Sequence, residues 1–189
     1  MSTQQALSLA ILLLFVVIIQ VRAARMRARG IRVFIVAQGD AVLVPLILAM
    51  IYAALARPLG LPIPPALLRP LWISELPGWI GLGLCVLSLF GFVEAMKNFG
   101  DSFRVGIDTQ SSGELITHGM FGISRNPVYV CFLIFFAGLF LIHRNLALAL
   151  AILGFFAAIH RQILREERFL KDHYGSAYQD YCGKVRRYL

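Results

Sequence analysis

The sequence predicts an all-α polytopic membrane protein with about five transmembrane helices, a C-terminal helical hairpin and a cytoplasmic amphipathic tail. Composition comes first: of 189 residues, 59% are hydrophobic and 15% charged, with a mean hydropathy of +0.75. Soluble domains are nearer half apolar and a quarter charged, so lipid must face much of this chain. Second, the apolar residues fall into five runs separated by polar or proline-rich stretches. Third, the basic residues cluster at alternate ends of those runs, as cytoplasmic loops require.

The first run, 6–21, has no basic residue before it, and Arg22, Arg25, Arg27, Arg29 and Arg32 follow. A signal peptide carries its charges ahead of the apolar core, so this run reads as a retained helix with its N-terminus outside. The second run is 41–56. Pro58, Pro62, Pro64, Pro65, Pro70 and Pro77 then exclude continuous helix. The third run is 78–96, followed by a polar stretch over 97–126. Pro127, a favoured first helical residue, opens the fourth run, which ends at Ile142. The turn His143-Arg144-Asn145 makes the fourth and fifth runs an antiparallel hairpin. The fifth extends from Leu146 to about Ile163 and continues into a charged amphipathic segment. At about 1.5 Å per residue, runs of roughly 16–19 residues reach about 24–28 Å, enough to cross a bilayer.

Fifteen Lys and Arg lie in 22–32, 97–126 and 161–189, against three (Arg57, Arg69, Arg144) on the other side. This places the C-terminus in the cytoplasm and the N-terminus outside. The length suits one domain, organised as three N-terminal spans over 1–97 and a functional core over 98–189. The net charge of +8 reads as topology and anionic headgroup contact, with no nucleic-acid partner expected. Cys85, Cys131 and Cys182 share no CxxC spacing, so neither a disulfide framework nor a zinc set is expected, and no metal site is assigned.

Two polar segments look chemically purposeful, 101–129 and 161–181, and both fall on the cytoplasmic side. The hairpin should bring Arg125–Tyr129 and Gln162–Glu167 together. Arg125-Asn126-Pro127-Val128-Tyr129 admits two readings. Unpaired helix-start amides and the Tyr129 ring form a ligand site, or the segment is a membrane-entry signal with Asn126 as cap. Gln162 and Glu166 share a helix face, while Glu167 has Lys171 at i+4 for a salt bridge. Glu166 has no basic residue at i±4 and is the ligand-facing carboxylate, suited to the amino or sulfonium end of a cationic cofactor. Arg161, Arg165 and Arg168 form a stripe that contacts headgroups or anchors a substrate. Glu94 and Lys97 read as a surface ion pair, and His118 and His173 are isolated. No Gly-x-Gly-x-x-Gly or Walker pattern is present, which excludes a Rossmann-type cofactor domain.

Further features recur in order: Asp-Ser-Phe-Arg-Val-Gly-Ile at 101–107, Leu-Ile-Thr-His-Gly-Met-Phe at 115–121, and Arg-Asn-Pro-Val-Tyr at 125–129. Glu-Glu-Arg-Phe-Leu at 166–170, Tyr-Gly at 174–175, Tyr-x-x-Tyr at 178–181 and Val-Arg-Arg-Tyr at 185–188 follow. Over roughly 98–189 the chain resembles the isoprenylcysteine carboxyl methyltransferase family, including its prokaryotic members. The resemblance implies an S-adenosyl-L-methionine site built from membrane-helix ends. Its cofactor residues would be Gly113, Glu114, Leu115, Ile116, Phe121, Asn126, Pro127, Val128, Tyr129 and Glu166, with Asn126 standing where the family often has histidine. The family's substrate-side arginine falls at Gln162, beside Arg161, so the anchor for a substrate carboxylate passes to Arg161, Arg125 or Arg104. The implied activity is O-methylation of a lipophilic or lipidated carboxylate in a prokaryotic cytoplasmic membrane, with membrane lipids as partners. Three alternatives stand beside it: phospholipid N-methylation, an NADPH-dependent membrane reductase, and a non-catalytic scaffold. Oligomeric state is not legible.

Overall fold

The computed structural model describes residues 2–29, 42–99 and 115–189. Among these, seven α-helices and one 3-10 turn follow in order: α1 Thr3–Ala28, α2 Leu43–Leu59, α3 Pro65–Leu68, α4 Leu76–Phe99, the turn Gly119–Gly122, α5 Pro127–His143, α6 Leu146–Tyr174 and α7 Ser176–Lys184. The five expected apolar runs correspond to α1, α2, α4, α5 and α6. Three of them, α1, α4 and α6, are long and apolar enough to cross a membrane. α2 and α5 have 17 residues each, about 26 Å of helix.

Local chemistry sets the helix ends. Ser2 and Gln5 form a capping box at α1, with Ser2 Oγ accepting from the Gln5 amide and Gln5 Oε1 from the Ser2 amide. α1 runs past its apolar run through Arg22, Arg25 and Arg27. α2 ends at Gly60 in the left-handed region, φ 65°, where glycine has no Cβ penalty. The proline-rich segment is mostly irregular, as expected, but three of its prolines are absorbed into helix, Pro65 as the first residue of α3. Pro58 sits in the last turn of α2 and Pro77 in the first turn of α4, where its missing N–H costs no intrahelical bond.

The hairpin forms as the spacing requires. Arg144 takes the left-handed conformation, φ 42° and ψ 38°, and Asn145 caps α6 by accepting from the Leu148 amide at 2.8 Å. Arg144 is held there by donating to the Ile73 and Ser74 carbonyls and pairing with Glu75. Asn145 also donates to the Ala53 carbonyl on α2 at 3.2 Å. α6 is one continuous helix of 29 residues, about 43 Å long. It therefore carries residues 162–174 beyond the apolar run without a break.

Helices in lipid gain nothing from hydrophobic burial against each other, so close packing and small residues hold them together. α4 and α5 show this most clearly. Gly81 faces Gly138, and a Cβ on Gly138 would stand 2.6 Å from the Gly81 carbonyl oxygen and 2.7 Å from Cys85 Sγ. Two turns further along the seam, Ser88 Oγ donates to the Cys131 carbonyl at 2.6 Å. Phe15 of α1 packs into the same seam, its ring 4.6 Å from Phe92 and 5.0 Å from Phe135. α2 lies against α6 through Met50, Ala53, Ala54, Leu148 and Phe155, all buried. Large apolar side chains such as Leu13, Val17, Phe90 and Leu153 point outward.

Replacing Gly138 by valine inserts atoms where a backbone carbonyl already sits, and overpacking of this kind costs about 1–3 kcal/mol. The Gly138→Val protein in detergent should melt several degrees below wild type in a thermal unfolding scan, whereas Gly83→Ala, with open space at its Cβ, should not.

Candidate functional site

The open end of the hairpin brings together the two segments singled out in the sequence. Pro127 starts α5 after Asn126, whose φ −131° and ψ 52° lie outside the helical region. Tyr129, one residue into the first turn beyond Val128, donates its hydroxyl to Glu166 Oε1 of α6 at 2.7 Å. Gln162, one turn before Glu166 and buried, donates its amide to the same oxygen at 2.9 Å. Arg165 in turn donates to Gln162 Oε1 at 2.6 Å. A carboxylate, a phenol, an amide and a guanidinium thus meet where two helix ends converge.

Arg125 and Glu167 form a second contact beside the first. Arg125 reaches Glu167 Oε1 at 3.0 and 3.2 Å, and both side chains are nearly buried. Arg187 binds the other oxygen, Oε2, at 2.8 and 3.0 Å. Burial alone would raise the pKa of Glu167. The hydrogen bond from Arg187 and the charges of Arg125 and Arg187 outweigh it and hold the carboxyl below its ordinary value. The local expectation of a Glu167–Lys171 pair is therefore corrected: Glu167 turns toward partners 42 and 20 residues away, because a partly buried carboxylate needs fixed donors that an exposed lysine does not supply.

Asn126 is also reassigned. Its side chain makes no helix-capping bond and donates instead to the Arg187 carbonyl at 3.1 Å. Arg125, one of the candidate substrate anchors, is engaged within the protein: besides Glu167, its guanidinium donates to the Cys182 and Val185 carbonyls, each at 3.3 Å. Arg161 is exposed. Phe121 is buried in the 3-10 turn, its ring 4.9 Å from that of Phe99, and its carbonyl accepts from the Tyr181 hydroxyl at 2.6 Å. Burial pushes that hydroxyl up to about 12, so Tyr181 remains a neutral donor. Leu115 and Ile116 are half-buried, and Val128 and Tyr129 likewise. Gly113, Glu114 and Arg104 lie outside the described residues, as does the motif at 101–107. His118 is exposed, and Glu94 pairs with Lys97 at 3.1 Å as expected. Among the described residues no cluster of His, Cys, Asp and Glu could hold a metal ion.

Residues 76–177, from the start of α4 to the first turn of α7, match the family described as phospholipid methyltransferase. The chain belongs to that family. Among curated proteins it is 32% identical over 104 residues to a probable protein-S-isoprenylcysteine O-methyltransferase of Oryza sativa subsp. indica. That match covers 53% of this chain and 52% of the relative. It is 31% identical over 127 residues to protein-S-isoprenylcysteine O-methyltransferase B of Arabidopsis thaliana, covering 64% of this chain and 61% of the relative. The matches thus span between half and two thirds of the plant relatives.

The phospholipid methyltransferase match includes Arg125, Tyr129, Gln162, Glu166 and Glu167 and stops short of Arg187 and Tyr188. Those last two were not foreseen as site residues. Tyr188 shares a 2.6 Å hydrogen bond with His160 Nδ1 on α6. The only sequence signal for them was their place in Val-Arg-Arg-Tyr at 185–188; neither periodicity nor spacing links them to α6.

Because the folded pKa of Glu167 lies below its unfolded value of about 4.3, its ion pairs stabilise fully above that value and are lost as pH falls through the folded pKa. Melting temperature measured from pH 6 downward should fall more steeply for wild type than for Glu167→Gln, whose side chain does not titrate. Parallel curves would contradict the assignment.

Proposed function

We propose that this protein is an integral membrane methyltransferase that uses S-adenosyl-L-methionine and transfers methyl to a lipophilic acceptor. The supporting observation is the meeting of Tyr129 and Glu166 across the hairpin, 2.7 Å apart, with Gln162 on the same carboxylate oxygen. The residues present fit such a cofactor. Glu166 is a half-buried carboxylate of the right charge for an ammonium or sulfonium. α5 begins beside it with amides that have no intrahelical acceptor, and Leu115, Ile116, Val128 and buried Phe121 supply apolar surface. Glu166, Tyr129, Val128, Pro127, Phe121, Ile116 and Leu115 would hold the cofactor, with Gly113 and Glu114 assigned by resemblance and Asn126 fixing the approach to α5.

When bound, the sulfonium supplies an already activated methyl group. The protein's own task is to position the acceptor and exclude water. A carboxylate acceptor needs no base. It needs a cation, and Arg161 and Arg165 flank Gln162 on α6. This supports O-methylation of a carboxylate on a lipid-like substrate, as the names of the plant relatives suggest. A second reading has its own support: Gln162 is neutral, buried and engaged with Glu166 and Arg165, and the matching family is named for phospholipids. A phospholipid amine would require no cationic anchor there. We further read all five apolar helices as spans, with the N-terminus outside and the site at the cytoplasmic surface. The distribution of Lys and Arg supports that orientation.

Isothermal titration of the purified protein with S-adenosylhomocysteine should give micromolar binding. Glu166→Ala and Tyr129→Ala should each weaken it by about 1–3 kcal/mol. Unchanged binding by Glu166→Ala would overturn the site, and no binding by wild type would overturn the cofactor. Mass spectrometry of lipid extracts incubated with methyl-labelled cofactor should yield a labelled ester; a labelled amine headgroup would establish the second reading.

A further inference from the structure

The chain's last residues wrap back onto the start of α5. Three consecutive residues ahead of Pro127 receive them. Ser124 Oγ donates to the Arg187 carbonyl at 3.3 Å, the Arg125 amide to the Arg186 carbonyl at 2.9 Å, and Asn126 Nδ2 to the Arg187 carbonyl at 3.1 Å. The Arg125 guanidinium adds the Cys182 and Val185 carbonyls. In return, Arg187 binds Glu167 Oε2 at 2.8 Å, while Arg125 occupies Oε1 of the same carboxylate at 3.0 Å. Tyr188 fixes the end of the strap to His160, two turns before Glu167 on α6. The start of α5, α6 and residues 185–188 are therefore closed into one ring through Glu167.

The ring bears directly on the candidate site. Arg125 stands one helical turn's worth of sequence before Tyr129, and Glu167 is adjacent to Glu166. Two rungs thus join the hairpin ends: Arg125–Glu167, braced by the strap, and Tyr129–Glu166, which carries the ligand chemistry. Helices of a membrane bundle have little hydrophobic force holding their ends together. A charge-assisted pair that is nearly buried is a stronger tie than a neutral hydrogen bond.

We propose that Glu167 and Arg187 are positioning residues: the C-terminal strap, latched by their ion pair, sets the start of α5 against α6 and so fixes the Tyr129–Glu166 pair that receives the cofactor. The proposal rests on the cofactor reading above, and neither residue touches the ligand. Two residues beyond the family match, Arg187 and Tyr188, would thereby govern affinity at a site lying within it.

The test is S-adenosylhomocysteine titration and thermal melting of the full chain in detergent, for wild type, Arg187→Gln, Arg187→Lys, Glu167→Gln, the Arg187→Gln/Glu167→Gln double variant and Tyr188→Phe. Arg187→Gln should raise Kd about tenfold, equivalent to about 1.4 kcal/mol, at temperatures where the protein remains folded. Arg187→Lys should recover most of that loss. The double variant should bind no more weakly than the weaker single variant, because the two residues act through one contact. Tyr188→Phe, which leaves both ion pairs in place, should raise Kd about threefold, and it decides the matter should Arg187→Gln fail to fold. A lowered melting temperature with Kd unchanged in Arg187→Gln, or in Tyr188→Phe in that case, would overturn the positioning role and leave the cofactor reading intact. Absence of binding by wild type would overturn both.

Discussion

Two carboxylates side by side at the edge of an apolar bundle are the constraint on which this structure turns. Neither Glu166 nor Glu167 can sit where α6 leaves its apolar run unless polar partners replace water. Successive residues on a helix point about 100° apart, so the two carboxylates need different partners. Glu166 takes Tyr129 and Gln162, and Glu167 takes Arg125 and Arg187. Those four contacts draw the start of α5, the length of α6 and the chain's last residues into one arrangement. The hairpin turn at the opposite end, held by Arg144 and Asn145, only has to bring the helices back side by side.

The division of labour between the two carboxylates follows from their partners. Glu167 carries two guanidiniums and a depressed pKa, the signature of a structural ion pair satisfied on both oxygens. Glu166 accepts from a phenol and an amide on one oxygen, which fixes the direction of its carboxylate. A negative group so oriented is what a cationic ligand requires. Among the described residues the candidate site is built from helices rather than from a sheet, where α5 begins and α6 leaves its apolar run.

Much of this was legible in the sequence because it rests on short-range rules. Pro127 marks a helix start, His143-Arg144-Asn145 is too short for anything but a tight turn, and Gln162 and Glu166 share a face at i+4. Together they place Tyr129 near Glu166 from sequence spacing alone. The same rules misled at Glu167, where Lys171 at i+4 was the nearest opposite charge and the true partners are distant in sequence. They misled at Asn126 too, whose position before a helix suggested a cap while its amide serves the Arg187 carbonyl. In both cases a tertiary contact made by the strap displaced a local one, and 185–188 has no periodicity that would reveal it. The five apolar helices α1, α2, α4, α5 and α6 were legible as apolar runs. The continuity of α6 through residue 174 was foreseen only as an apolar run merging into an amphipathic one.

The most direct test of the central claim is to ask where the cofactor sits. Irradiation of the purified protein with radiolabelled S-adenosylmethionine, followed by peptide mapping, should give saturable labelling on peptides containing 126–129 or 162–167, competed by S-adenosylhomocysteine. Competable labelling confined to α1, α2 or the proline-rich segment would contradict a site formed by the ends of α5 and α6.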